Sequence, residues 1–220
     1  MVGLLAASCG IVVANIYYSQ PLIGLIGPAL NMQPKVESLI VSLTQLGYAI
    51  GLVFLVPLGD LVENRRLVVM TVAAAALPLL FAGLAWNGPV MLVFSVLIGI
   101  TSVAVQMLIP IAAHLTPEAM RGRVVGLVTS GLLFGILFSR PIASGIAAFT
   151  SWRLVFFISA ALMAGLALLL SRALPYRRPD VDHHYFALLT SLISLPARFP
   201  VLRERAAYQA AAFGGFSLFW

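Results

Sequence analysis

Six uninterrupted apolar stretches run along the chain, at 4–30, 38–58, 67–86, 90–114, 124–149 and 153–172. Nearly every charged residue lies in the short gaps between them. Each stretch is close to the ~20 residues that a helix needs to cross bilayer hydrocarbon. The pattern therefore predicts an all-α integral membrane fold of six transmembrane helices. A seventh stretch starts near Ala206 and runs to Trp220. That is short of a full span and reads as the start of a truncated seventh helix. The expected organisation is a six-helix bundle over 1–172, a cytoplasmic linker over 173–205, and the beginning of a further transmembrane helix over 206–220.

Turn signals divide the stretches. Asn31-Met32-Gln33-Pro34 ends the first, Asn87-Gly88-Pro89 makes a tight turn between third and fourth, and Thr116-Pro117-Glu118 opens the turn before the fifth. The linker begins with Pro175-Tyr176-Arg177-Arg178-Pro179-Asp180, too proline-rich and charged for helix. It continues as Tyr185–Leu195, apolar enough to lie on the membrane surface as an amphipathic helix. Pro196 and Pro200 are expected to interrupt it.

Polar residues are unevenly shared among the stretches. The third and sixth hold almost none, beyond Thr71 and Ser159. The first, second, fourth and fifth carry Asn15, Tyr17, Tyr18, Gln20, Gln45, Tyr48, Gln106 and Arg140. A polar group in hydrocarbon is costly unless it faces protein or water. Helices one, two, four and five are thus expected to line an interior, with three and six supporting it from the lipid side. Read as triplets, one-two-three and four-five-six form two similar units, the arrangement of an inverted repeat within half a transporter.

Composition agrees with this reading: apolar residues make up 61% of the chain, charged residues 9%, and mean hydropathy is +1.05. The net charge of +6 raises the question of nucleic acid, and the placement of the charges answers it. Arg65, Arg66, Arg121, Arg123, Arg172, Arg177, Arg178, Arg198, Arg203 and Arg205 fall in or beside the gaps after the second, fourth and sixth stretches, whereas only Lys35 and Arg153 fall in or beside the alternate gaps. This asymmetry is the positive-inside pattern. It predicts a cytoplasmic N-terminus, with 59–66, 115–123 and 173–205 cytoplasmic and 31–37, 87–89 and 150–152 outside. The basic excess is topological, with a secondary attraction for anionic lipid headgroups, and no nucleic-acid partner is expected.

Arg140 is the one charge well inside a stretch, about nine residues from its outer end, or ~13 Å at ~1.5 Å per residue. Burying a guanidinium there costs ~2.5–3.5 kcal/mol, so such residues face a partner or a water-filled cavity. No Asp or Glu lies inside any stretch. Glutamine side chains and backbone carbonyls are therefore its expected neighbours, and contact with a solute, structural pairing and snorkelling are the three readings. Asn15, Tyr18, Gln20, Gln45, Tyr48 and Gln106 complete a candidate solute pathway. Gly131, Gly135 and Ser139 recur at four-residue spacing, which lets two helices approach closely. Pro141 and Gly145 are expected to kink or loosen the helix near Arg140.

Other chemistry finds little support. Cys9 is the sole cysteine, so no intrachain disulfide forms, and the uncharged Met1–Ala7 lacks the basic segment of a signal peptide. His183-His184 beside Asp180 and Asp182 looks like a metal cluster, but adjacent histidines point apart on a helix or strand, so no metal is expected. There is no Gly-Lys-Ser/Thr phosphate loop and no nucleophile–base constellation, so neither a nucleotide cofactor nor an enzyme is expected.

The loop Leu58-Gly59-Asp60-Leu61-Val62-Glu63-Asn64-Arg65-Arg66 resembles the signature loop of the major facilitator superfamily, Gly-x-Leu-Ala-Asp-Arg-x-Gly-Arg-Arg. Asp60, Arg65 and Arg66 match it in type and approximate position; Val56, Leu61 and Glu63 depart from it. The segments Ala14–Leu22, Thr44-Gln45-Leu46-Gly47-Tyr48, Arg121–Gly126 and Ser151-Trp152-Arg153 are similar to a bacterial branch of arabinose-efflux-like and multidrug-efflux-like permeases. The resemblance covers the N-terminal half of that twelve-helix fold. It implies a secondary transporter of the bacterial inner membrane that exports a sugar or drug-like solute against proton entry by alternating access. It also implies that Asp60 with Arg65 or Arg66 forms a cytoplasmic gate. On this reading the chain alone is inactive and needs the missing C-terminal half. A homodimeric half-transporter and a membrane assembly subunit are the alternatives.

Overall fold

The computed structural model describes residues 1–176 and 185–219. Six helices in it are long and apolar enough to cross a membrane: Val2–Ala29, Pro34–Asp60, Asn64–Gly83, Gly88–His114, Glu118–Phe149 and Trp152–Ala173. There is no strand among the described residues. All six lie in the first of two compact units; the second holds the helices Tyr185–Arg198 and Pro200–Phe219.

Local chemistry sets the helix ends. The first span closes with Asn31 at a positive φ of 53° while the Met32 N–H donates back to the Gly27 carbonyl at 2.9 Å. This is the left-handed helix terminus that asparagine tolerates. The third, fourth and sixth spans start on side-chain caps. The Glu63 carboxylate accepts from the N–H groups of Arg65 and Arg66, Asn87 Oδ1 from Val90 N–H, and Ser151 Oγ from Arg153 N–H. Two spans are broken midway. The first passes through a 3-10 turn at Gln20–Leu22, where Pro21 removes a backbone donor; the fourth is interrupted between Thr101 and Ala104.

The spans pair first with fifth, second with fourth, and third with sixth. Exchanging the triplet one-two-three for four-five-six turns the first–fifth pair into the fourth–second pair and returns the third–sixth pair to itself. The packing thus has the symmetry of the repeat read from the sequence.

Glycine makes two of these pairings possible. A Cβ on Gly10 would lie 2.7 Å from the Gly131 carbonyl oxygen, and one on Gly135 would lie 2.5 Å from Gly10 Cα. Across the second–fourth seam, a Cβ on Gly51 would meet the Ile100 carbonyl oxygen at 2.6 Å, and one on Gly99 would meet the Tyr48 nitrogen at 2.6 Å. Backbone touches backbone along both seams, and no side chain fits between. The third–sixth pair is built differently, from i, i+3, i+4 stripes. Val68, Thr71, Val72, Ala75, Leu79 and Ala82 are buried on one helix, and Val155, Phe156, Ser159, Ala160, Met163 and Ala167 on the other. The outward faces carry Leu77, Leu80, Phe81, Leu162, Leu168 and Leu169, all exposed. Lipid, not water, is the solvent that accepts such a surface.

The last two helices depart from the expected boundaries. Tyr185–Arg198 contains Pro196 instead of stopping before it, and Phe199 N–H still reaches the Leu195 carbonyl at 2.9 Å. The final helix begins at Pro200, not near Ala206. Proline suits a first helical position, and Arg203-Glu204-Arg205-Ala206-Ala207 are good helix formers, so the charged residues assigned to the linker belong to the helix.

The seams predict a sharp positional contrast. Gly135→Val is expected to lower the thermal unfolding midpoint of the purified protein, with an overpacking cost of about 1–3 kcal/mol. Gly145→Ala is expected to leave the midpoint in place, because a Cβ there meets nothing within 4 Å.

Candidate functional site

The polar residues of the spans separate into three groups with different partners. In the first group, Arg140 of the fifth span donates from Nη2 and Nε to Gln20 Oε1 of the first, at 2.9 and 3.2 Å. Both side chains are half-buried. Gln20 sits where the first span breaks into its 3-10 turn, which frees the chain to aim the carboxamide across the seam. The carboxamide is neutral, so this contact is a charge-assisted hydrogen bond from a cation to an uncharged acceptor.

The second group crosses the other seam. Gln106 Nε2 of the fourth span donates to the Tyr48 hydroxyl of the second at 3.0 Å. Gln106 likewise follows the break in its span. Each glycine seam therefore carries one polar pair, and in each pair one partner is a glutamine at or just beyond a helix interruption. Gln45, one residue past buried Thr44, is half-buried and makes no side-chain hydrogen bond among the described residues. Thr44 itself turns back to the Ile40 carbonyl at 2.8 Å.

Asn15 belongs to a third group. Only 2% of its surface is exposed. Its Nδ2 donates to Met163 Sδ at 3.3 Å, and its Oδ1 accepts a hydrogen bond from Ser159 Oγ. Both partners are on the sixth span, so Asn15 anchors the first span to its neighbour and does not join Gln20 and Arg140. Neighbouring Ser19 is also buried, and its hydroxyl has no partner among the described residues. Tyr18 lines an apolar groove of about 320 Å³ between the first and fifth spans, with Ala7, Ile11, Phe134, Phe138 and Ile142.

Gly131 and Gly135 lie in the first–fifth seam, whereas Pro141 and Gly145, the residues expected to kink or loosen the helix, lie outside it. Pro141 is exposed within the continuous helix Arg121–Phe149, and Gly145 faces open space. Ala143, the next position of the four-residue series after Ser139, is buried, so the packed stripe runs past Pro141 and Gly145 on a different face of the helix. Gly10, Gly47, Gly51 and Gly99 carry the packing instead. Their signal was present as Ala6-x3-Gly10, Gly47-x3-Gly51 and Ser95-x3-Gly99, the same small-residue spacing read on the fifth span alone.

The signature loop carries the three candidate gate residues, Asp60, Arg65 and Arg66. Asp60 is exposed and forms no ion pair with Arg65 or Arg66 among the described residues. Arg65 instead donates from Nη2 to the Ser171 carbonyl at the end of the sixth span. Arg66 is exposed, with its backbone held by Glu63. His183 and His184 lie outside the described residues.

A stability prediction follows from the third group. Ser159→Ala removes a buried donor to Asn15, and a cost of about 1 kcal/mol in thermal unfolding is expected. Gln45→Ala, with no bond to lose, is expected to be silent in the same measurement.

Comparison with known proteins agrees with this geometry. The family model described as Major Facilitator Superfamily matches residues 5–220. The chain is 39% identical over 220 residues to a protein of Escherichia coli O157:H7 described as "Uncharacterized transporter YgaY", covering all of this chain and 56% of that protein. It is 35% identical over 217 residues to "Probable transporter SCO4007" of Streptomyces coelicolor, covering 99% of this chain and 50% of the relative. The chain thus spans about half the length of the relatives it matches. Among solved structures, the proton:xylose symporter XylE superposes with a TM-score of 0.64 at 17% identity, covering 80% of this chain and 44% of that one. The human organic anion transporter MFSD10 does so with a TM-score of 0.65 at 14% identity, covering 87% and 53%. The symmetric six-helix bundle, the signature loop and these matches together make the chain a multi-pass membrane protein belonging to the Major Facilitator Superfamily.

Proposed function

We propose that this bundle is the N-terminal half of a secondary active transporter that exports a sugar or drug-like solute by proton-coupled alternating access. The observation that carries the reading is the Arg140–Gln20 pair. It places a permanent charge at membrane depth, oriented by a neutral partner, on a half-buried face. A guanidinium in that position calls for water or a polar solute nearby. Gln45 and the Tyr48–Gln106 pair extend the polar surface along the second and fourth spans, and Tyr18 borders it from the groove between the first and fifth. Asn15 stands behind this surface as its anchor.

A second six-helix bundle completes the pathway in this reading. The second and fifth spans are the least buried, at 22% and 17% of their most apolar windows, against 44–67% for the other four. They are also equivalent under the repeat exchange, so together they offer one face to a partner. The relatives' greater length supports a C-terminal bundle in that place; a second copy of this chain is the alternative source. The reading places the N-terminus and the Asp60–Arg66 loop on the cytoplasmic side, where Asp60 and Arg66 serve the gate and Arg65 does not.

Energised everted vesicles holding this chain co-expressed with a C-terminal six-helix half test the proposal with a panel of sugars and lipophilic dyes, and the chain by itself is expected to accumulate none. Uncoupler-sensitive accumulation of at least one probe is expected, with a loss of about tenfold or more in Arg140→Ala, the scale of a single charge-assisted hydrogen bond. Accumulation that survives Arg140→Ala contradicts the assigned pathway, and accumulation indifferent to uncoupler contradicts proton coupling.

A further inference from the structure

The third and sixth spans begin alike. Each opens on a side-chain cap followed two residues later by arginine, Glu63-Asn64-Arg65 in one and Ser151-Trp152-Arg153 in the other. The two helices run antiparallel, so the start of each lies beside the end of its partner. Arg153 uses this placement to donate from Nη1 to the Gly83 and Ala85 carbonyls, at 2.8 and 2.7 Å, where the third span ends. Its guanidinium also stacks over the Trp152 ring, 4.4 Å from the centroid. Arg65 makes the matching contact at the other end, donating to the Ser171 carbonyl of the sixth span.

The last carbonyls of a helix have no partner within it and form the negative end of its dipole. At the membrane face, where each guanidinium is partly shielded from water, a cation at that point complements both the open carbonyls and the dipole. Each helix therefore supplies what the other lacks, once at each membrane face, and the repeat exchange maps one contact onto the other. The sixth span in turn holds Asn15 through Ser159 and Met163, and Asn15 lies on the first span shortly before the break that presents Gln20 to Arg140.

We propose that Arg65 and Arg153 are positioning residues, a reciprocal clamp that fuses the third and sixth spans into a rigid platform holding the first span, and with it the Gln20–Arg140 pair, in place. The value of that placement to transport rests on the reading above; the clamp itself does not. The clamp also explains why Arg153 sits on the face that the charge pattern leaves poor in cations.

Hydrogen exchange on the full chain in lipid nanodiscs tests the clamp without any solute, so its failure is separable from failure of the transport reading. In the unmodified protein the amides of 80–85 and 169–174 are expected to be as protected as mid-helix amides; frayed ends there would overturn the proposal. Arg153→Lys and Arg65→Lys keep the charge but lose the planar fork. Arg153→Lys is expected to speed exchange about tenfold or more at 80–85, and Arg65→Lys at 169–174. The effect appears at the end of the partner helix, on opposite faces, and the double variant also loosens 15–20. Changes confined to each arginine's own helix, or spread evenly over all six spans, would overturn the assignment.

Discussion

Backbone-to-backbone contact at glycine is the constraint on which this bundle depends. Lipid tails are as apolar as leucine, so helices in a membrane gain nothing by hiding leucine from lipid. What holds them is close packing, and the closest packing needs residues without side chains. Gly10 against Gly131 and Gly135, and Gly47 and Gly51 against Val96, Gly99 and Ile100, bring two helix pairs together at that limit. The two seams sit at equivalent places in the repeat. They leave the second and fifth spans facing outward and fix where every polar side chain of the interior can reach.

The polar groups follow from those seams. Because the backbones touch, side chains beside them can bridge neighbouring helices, and each seam carries one such bridge. Gln20 holds Arg140 across the first, and Gln106 holds Tyr48 across the second. The helix breaks at Gln20–Leu22 and between Thr101 and Ala104 give the glutamines their aim. The third and sixth spans add no polar surface to this face. They contribute firmness, through the apolar stripe between them and the hydrogen bonds that Asn15 makes to Ser159 and Met163.

Much of this was legible in the sequence, for a physical reason. Hydrocarbon demands helices of near-constant length with charge excluded, so six spans, their turns and the paired triplets can be read from hydropathy alone. Arg140 stood out because a charge at depth is rare. Rotation about the helix axis was not legible. Asn15 and Gln20 lie on one short stretch of the first span, yet one turns to the sixth span and the other to the fifth. Polarity says that a residue avoids lipid; it does not say which protein neighbour it chooses. The loop arginines illustrate the same limit. Arg65 and Arg66 are identical and adjacent, and only the end of the sixth span beside Arg65 distinguishes them.

Cysteine labelling in native membranes addresses the central claim, that the Gln20–Arg140 face lines a water-filled path while Asn15 stands behind it. Cys9 is fully buried, so the chain offers a quiet background. A membrane-impermeant maleimide, applied from each side in turn, would be scored on Gln20→Cys and Asn15→Cys. The account predicts that position 20 labels and position 15 does not. Equal labelling of the two, or labelling of position 15 alone, would place the aqueous surface on the wrong side of the first span and contradict it.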